Sequence, residues 1–200
     1  MSATVEHART AIRPLRIAVV IGSTREGRFG PTVADWFVRQ ARLRDTMDVD
    51  VVDAGQVELP PTFGAATEHP SVAEATEKLS RADAFVVVTP EYNHSYPGTL
   101  KNLIDTLHTE WQAKPVGFVS YGGISGGLRA VEHLRPVFAE LHAVTVRDSV
   151  ALPNPWGRFD NTGDLIDVAG ADTAAAVLLD QLTWWGEALR TARAVRPYGK

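Results

Sequence analysis

Residues 15–34 read LRIAVVIGSTREGRFGPTVA. The apolar run Ile17 to Ile21 stops at Gly22. Ser23, Thr24, Arg25, Glu26, Gly27, Arg28, Phe29 and Gly30 follow, and Pro31 opens a segment with helical spacing. A strand apolar at successive positions suits the middle of a parallel sheet covered on both faces. A polar glycine-rich loop leading into a helix presents backbone N–H groups and the positive end of the helix dipole, a geometry that binds anions. Arg25 and Arg28 add forked guanidinium groups matched to phosphate oxygens. Gly22 and Gly27 have the spacing of a nucleotide-triphosphate loop, but Arg28 and Phe29 stand where its lysine and magnesium-binding hydroxyl are required. The glycines run G-x4-G-x2-G, which is not the dinucleotide fingerprint. The stretch therefore predicts a loop holding one terminal phosphate without a metal.

Working outward, Leu15 to Ile21 is the first strand. Val33, Phe37 and Ala41 mark the buried face of a helix reaching about Arg44, and Val49, Val51 and Val52 form a strand ending near Asp53. A Pro/Gly-containing connection, 55–68, precedes a helix over 71–81. Ala84 to Thr89 is a second strongly apolar strand. Pro90 to Gly98 (PEYNHSYPG) must be loop. Thr99 is expected to cap a helix whose core stripe is Leu100, Leu103, Ile104 and Leu107. Val116 to Ser120 is a strand running into the loop Tyr121 to Gly127. Helical spacing resumes from Leu128 to Leu141, with Pro136 expected to kink it or end its first part. Val144 to Val150 is expected as the last strand. A polar loop at 154–167, long enough to suggest function, then leads to a wide apolar helix over 171–194.

Alternating strands and helices predict an α/β fold, a flavodoxin-like doubly wound five-stranded parallel sheet with helices on both faces. Residues 15–195 are expected as one domain after a flexible arm at 1–14. In such sheets ligands bind beyond the carboxyl ends of the strands. The loops 22–30, 90–98 and 121–127 all follow strands and converge on that edge.

With 200 residues, a net charge of -4 and no cysteine, the chain lacks a general attraction for nucleic acid or anionic membranes and has no thiolate chemistry. Its apolar runs are of strand length, and residues 1–14 have no signal-peptide core, so a cytoplasmic protein is expected. The six histidines show no metal-ligand spacing, and no metal site is expected.

In the second loop, Tyr92, His94 and Tyr96 alternate with hydrogen-bonding residues, which suits a flat ring beside the chain. With a phosphate loop at the same edge, a flat mononucleotide is the preferred ligand. The third loop, Gly123-Ile124-Ser125-Gly126-Gly127, also fits the G-x-S-x-G nucleophile elbow of hydrolases. That order needs an acid and then a histidine after the serine. Only Glu132 and Glu140 precede His133 and His142, all in a helical segment, and no HGGG oxyanion sequence is present. A Ser125 hydrolase is thus a remote alternative.

GSTREGR at 22–28, PEYNHSYPGTLKNLID at 90–105 and SYGGISGGLR at 120–129 together resemble the NADPH-dependent FMN reductase family of flavodoxin-like proteins, which includes quinone, azo-dye and chromate reductases. The resemblance implies that Ser23, Arg25 and the turn Arg28, Phe29, Gly30, Pro31 and Thr32 hold the FMN phosphate. It places Pro90, Glu91, Tyr92 and Asn93 along the isoalloxazine, and Tyr121, Gly122 and Gly123 on its other side. Members often carry Ser and Asn where this chain has Arg28 and Gly30. The implied activity passes two electrons from NADPH or NADH through flavin N5 to a quinone, free flavin, azo dye or similar small acceptor. No side chain need act as acid or base. Family members are typically homodimers or homotetramers, which agrees with the wide apolar last helix. An FMN-binding electron carrier of flavodoxin type is the alternative; the modest charge and the two loop arginines count against it.

Overall fold

The computed structural model describes residues 13–60, 69–166 and 169–199. Most of the expected N-terminal arm (1–12) and part of the connection after the second strand (61–68) lie outside them.

Among the described residues, six strands form one parallel sheet: β1 (Leu15–Ile21), β2 (Met47–Asp53), β3 (Ala84–Pro90), β4 (Pro115–Gly122), β5 (Val144–Thr145) and β6 (Val150–Pro153). The order is β2-β1-β3-β4, with β5 and β6 both pairing with β4. The longer helices among the described residues are α1 (Gly30–Arg42), α2 (Pro70–Arg81), α3 (Gly98–Thr106), α4 (Leu128–Glu140) and, after the last strand, α5 (Ala169–Val195).

Strand alternation divides the core. Ile17, Val19 and Ile21 of β1 and Val86 and Val88 of β3 face α1 and α5, meeting Val33, Phe37, Leu178 and Leu182. The intervening Ala18, Val20, Phe85 and Val87 face α2, α3 and α4, meeting Leu79, Leu103, Leu134 and Phe138. Period-2 side chains on strands covered on both sides account for the unbroken apolar runs. The register aligns Ile21 with Asp53 and with Val88, and Pro90 with Tyr121. The loops after β1, β3 and β4 therefore leave the sheet side by side.

Three local expectations change. The last strand is broken in two, because Arg135 donates to the carbonyls of Val146 (2.8 Å) and Arg147 (2.9 Å) that a continuous strand would direct to a neighbour. Helix α3 starts at Gly98 after Pro97, with no side-chain cap. The Thr99 hydroxyl instead shares a 2.9 Å hydrogen bond with that of Thr24, tying α3 to the first loop. Helix α4 runs through Pro136. The proline removes one backbone bond, while buried Leu134 and Phe138 hold both sides against the sheet. On α5, Trp184 and Trp185 lie outside the core as an edge-to-face pair with ring centroids 4.9 Å apart.

Candidate flavin site

Beyond the carboxyl ends of β1, β3 and β4 lies a cleft of about 130 Å³, lined by Arg25, Phe29, Pro90, Glu91, Tyr92, Tyr121, Gly122, Gly123 and Trp156. All but Trp156 are expected site residues. The volume suits one edge of a ring system, not a whole mononucleotide, since enclosed ligand pockets run to about 300–1,000 Å³.

Beside the first loop, α1 begins after Phe29 without a side-chain cap, with no acidic residue in its first turn and with Pro31 among its first residues. The N–H groups of a first helical turn have no intrahelical acceptor, so an uncapped start leaves donors available to an anion. Gly30, Pro31 and Thr32 belong to this turn. Ser23 lies fully buried beside it, and its hydroxyl has no hydrogen-bond partner. Arg25 is solvent-exposed, its guanidinium 5.3 Å from the Tyr92 ring centroid. Arg28 points elsewhere. Its Nη1 donates to Asp53 Oδ1 (2.5 Å) and to the Ser23 carbonyl (2.7 Å), and its Nη2 to Asp53 Oδ2 (2.6 Å). The hydrogen-bonded Asp53 carboxylate holds the Arg28 pKa above its ordinary value despite burial. One arginine thus remains at the cleft and the other braces the loop against β2.

The second loop is a tight two-residue turn. Tyr92 N–H donates to the Ser95 carbonyl (2.8 Å) and Ser95 N–H to that of Tyr92 (3.1 Å). Asn93 and His94 between them both have positive φ, 49° and 72°. This is the I′ hairpin geometry, tolerated by Asn and uncommon for His. Glu91 N–H is taken by the Tyr121 carbonyl at 3.1 Å. Among the described residues, the amides of Asn93 and His94 at the tip of this turn have no acceptor within the protein.

Glu91 locks the second loop to the third. One carboxylate oxygen accepts from Arg129 Nη1 (2.6 Å), the other from the Ser125 hydroxyl (2.7 Å) and the Arg129 backbone N–H (3.2 Å). Burial raises the Glu91 pKa, but these three donors outweigh it and the carboxyl sits below its ordinary value. Ser125 is accordingly a structural donor. The positive φ angles fall at Gly126 and Gly127, not at Ser125, unlike the strained serine of a nucleophile elbow. His133, the first histidine after it, meets Ser95 Oγ at 3.0 Å.

Trp156 is the site residue that the motifs did not reveal. It belongs to the long polar loop already expected to have a role, which is its one signal in the sequence. The loop is anchored by Asn154 N–H on the Gly122 carbonyl (2.7 Å), by Phe159 edge-on to Phe29 (5.4 Å), and by Arg39 on Gly163 and Asp164. Trp156 remains 52% exposed, with the cleft beside it.

FMN fits these residues: an uncapped helix start, an unpartnered buried hydroxyl and one exposed arginine for its phosphate, and aromatic walls with unbonded amides for its ring.

Comparison with known proteins identifies the family. An NAD(P)H-dependent FMN reductase of Schizosaccharomyces pombe is 38% identical over 120 residues, 56% of this chain and 60% of that protein. A quinone reductase of Escherichia coli is 31% identical over 90% of this chain and 97% of its own length. Among solved structures, the flavoenzyme NAD(P)H:(acceptor) oxidoreductase FerB from Paracoccus denitrificans superposes with a TM-score of 0.71 at 22% identity, covering 87% of this chain and 98% of that one; it shares the flavodoxin-like fold. The sequence model of the NADPH-dependent FMN reductases matches residues 15–157, and the chain belongs to that family.

Proposed function

We propose that the protein is an FMN-dependent NAD(P)H oxidoreductase that passes two electrons from a nicotinamide nucleotide to a quinone or similar small acceptor. The observation that carries this reading is the meeting, at one sheet edge, of an uncapped helix start with a cleft lined by Phe29, Tyr92, Tyr121 and Trp156. Bound there, FMN supplies the two-electron chemistry, and the protein supplies position and electrostatics. Ser23, Arg25 and the first turn of α1 hold the phosphate. Pro90 to Asn93, with Gly122 and Gly123, position the ring. The fixed N–H groups of Asn93 and His94 favour negative charge at the ring's polar edge. Glu91 is hydrogen-bonded within the protein, and no cleft side chain is needed as acid or base.

The same reading takes residues 15–195 as one flavin-binding domain following the arm at 1–14, in a cytoplasmic homodimer or homotetramer. The exposed apolar residues Val177, Trp184 and Trp185 of α5 support self-association; among the described residues no helix is long and apolar enough to cross a membrane.

Purified protein supplied with FMN should oxidise NADPH or NADH in the presence of a quinone. Rapid flavin bleaching on stopped-flow mixing with NADPH is expected. A need for a separate reductase would make the protein an electron carrier, and no turnover with any quinone, flavin or dye would remove the enzyme reading.

A further inference from the structure

Among the described residues, two buried side-chain oxygens or nitrogens lack a hydrogen-bond partner, and both lie at one place: Ser23 Oγ and Tyr121 Oη. Ser23 is 0% and Tyr121 3% exposed. A Cβ built on Gly30 would stand 2.1 Å from Ser23 Oγ and 3.0 Å from Tyr121 Oη. The two hydroxyls therefore converge on the first residue of α1, in space that any other residue at 30 would fill. Ser23 favours the ionised phenol, yet neither hydroxyl has a partner within hydrogen-bond geometry.

We infer that the Tyr121 hydroxyl, paired with that of Ser23, is a phosphate donor in the flavin site, so that Tyr121 selects the mononucleotide over the unphosphorylated flavin. This rests on the flavin reading above and deepens it. A buried hydroxyl without a partner is costly in the free protein, and a bound acceptor recovers that cost. Arg28, turned to Asp53, leaves the helix start without its second guanidinium. Tyr121 lines the cleft, and its buried oxygen lies beside the first residue of α1. Burial pushes the phenol up to about 12 against the opposing pull of Ser23, so it keeps its proton at neutral pH and can only gain by donating to a phosphate dianion.

The test is flavin-fluorescence titration of wild type, Tyr121→Phe and Ser23→Ala with FMN and with riboflavin, plus thermal melts of each protein with and without FMN. Tyr121→Phe should bind FMN about tenfold or more weakly, the effect of losing a hydrogen bond to a charged group, with riboflavin affinity unchanged. Its flavin-free Tm should equal or exceed that of wild type, because an unpartnered hydroxyl is gone, while FMN raises its Tm less. Ser23→Ala should show the same phosphate-selective loss. Equal losses for FMN and riboflavin in Tyr121→Phe would make Tyr121 a ring contact and overturn the inference, as would unchanged FMN affinity. Wild type that binds neither flavin would overturn the flavin reading itself, and this inference with it, before any variant is compared.

Discussion

The Arg28 guanidinium lies fork-to-fork against the Asp53 carboxylate, so an arginine of the phosphate-loop sequence holds the end of β1 to the end of β2. The pair fits because residue 55 is glycine: a Cβ there would stand 3.0 Å from the Arg28 guanidinium carbon. Arg28→Ala leaves a largely buried carboxylate with the Gly55 N–H at 2.9 Å in place of its bidentate partner. It should destabilise the fold by about 1–3 kcal/mol with little change in FMN affinity once folded. Arg25→Ala should do the reverse, weakening FMN binding by about 1–3 kcal/mol with stability within about 0.5 kcal/mol of wild type. Urea denaturation and FMN titration of both variants check this; weaker FMN binding only in Arg28→Ala would return the phosphate to Arg28.

Glu91 supplies an acid limb to stability. Its folded pKa lies below the ordinary 4.5. The stabilisation is complete above that value and is lost as pH falls through the lower folded one. Glu91→Gln should be less stable than wild type at neutral pH, and the gap should close as the solution is acidified below about pH 4.5. Melts from pH 3 to 6 read this, and a constant gap would count against it.

Trp156 stands half-exposed beside the cleft on a loop fixed at both ends. Trp156→Ala should raise KM for a quinone several-fold with a smaller change in kcat, and Trp156→Phe should retain most of the affinity, since stacking on an aromatic face contributes about 0.5–1.5 kcal/mol beyond area burial. Equal KM values for all three proteins would leave Trp156 without a part in acceptor binding.

Lys114, buried at the opposite end of the sheet, donates to the Leu79 and Ser80 carbonyls at the end of α2. Burial first, then Arg193, lower its pKa from 10.5 to about 8, against the pull of Asp83 and Glu110. The unfolded chain binds the proton more tightly, so this group makes stability rise with pH between about 8 and 10.5. Tyr121, pushed up to about 12, acts in the opposite sense above its ordinary value of 10.0. Denaturation at about pH 7.5 and pH 9.5 should show the rise in wild type and a flatter response in Lys114→Met.

The centre of the sheet was legible because β1, β3 and β4 are buried on both faces and so write themselves as apolar runs. The three site loops were legible because each follows such a run and parallel order brings those ends together. Boundaries set by single contacts were less so. The break in the last strand depends on Arg135 reaching from α4 to the Val146 and Arg147 carbonyls, and the Thr99 hydroxyl is drawn from capping to Thr24, 75 residues away in the chain.

What the sequence by itself determined is the order of strands and helices, the edge at which the loops gather and the kind of ligand they suit, because apolar period, glycine and proline placement and loop charge are local properties of the chain. Only the tertiary structure decided what each polar group does there. Arg28 and Arg25 look alike in GSTREGR, and Asp53 separates them. Tyr121 reads as a wall of the ring site, and its oxygen comes to rest beside Ser23 at the start of α1. Trp156 enters the cleft from a loop with no motif. Each assignment depends on which buried charge or hydroxyl finds a partner across the fold, a relation between residues far apart in sequence that no local pattern records.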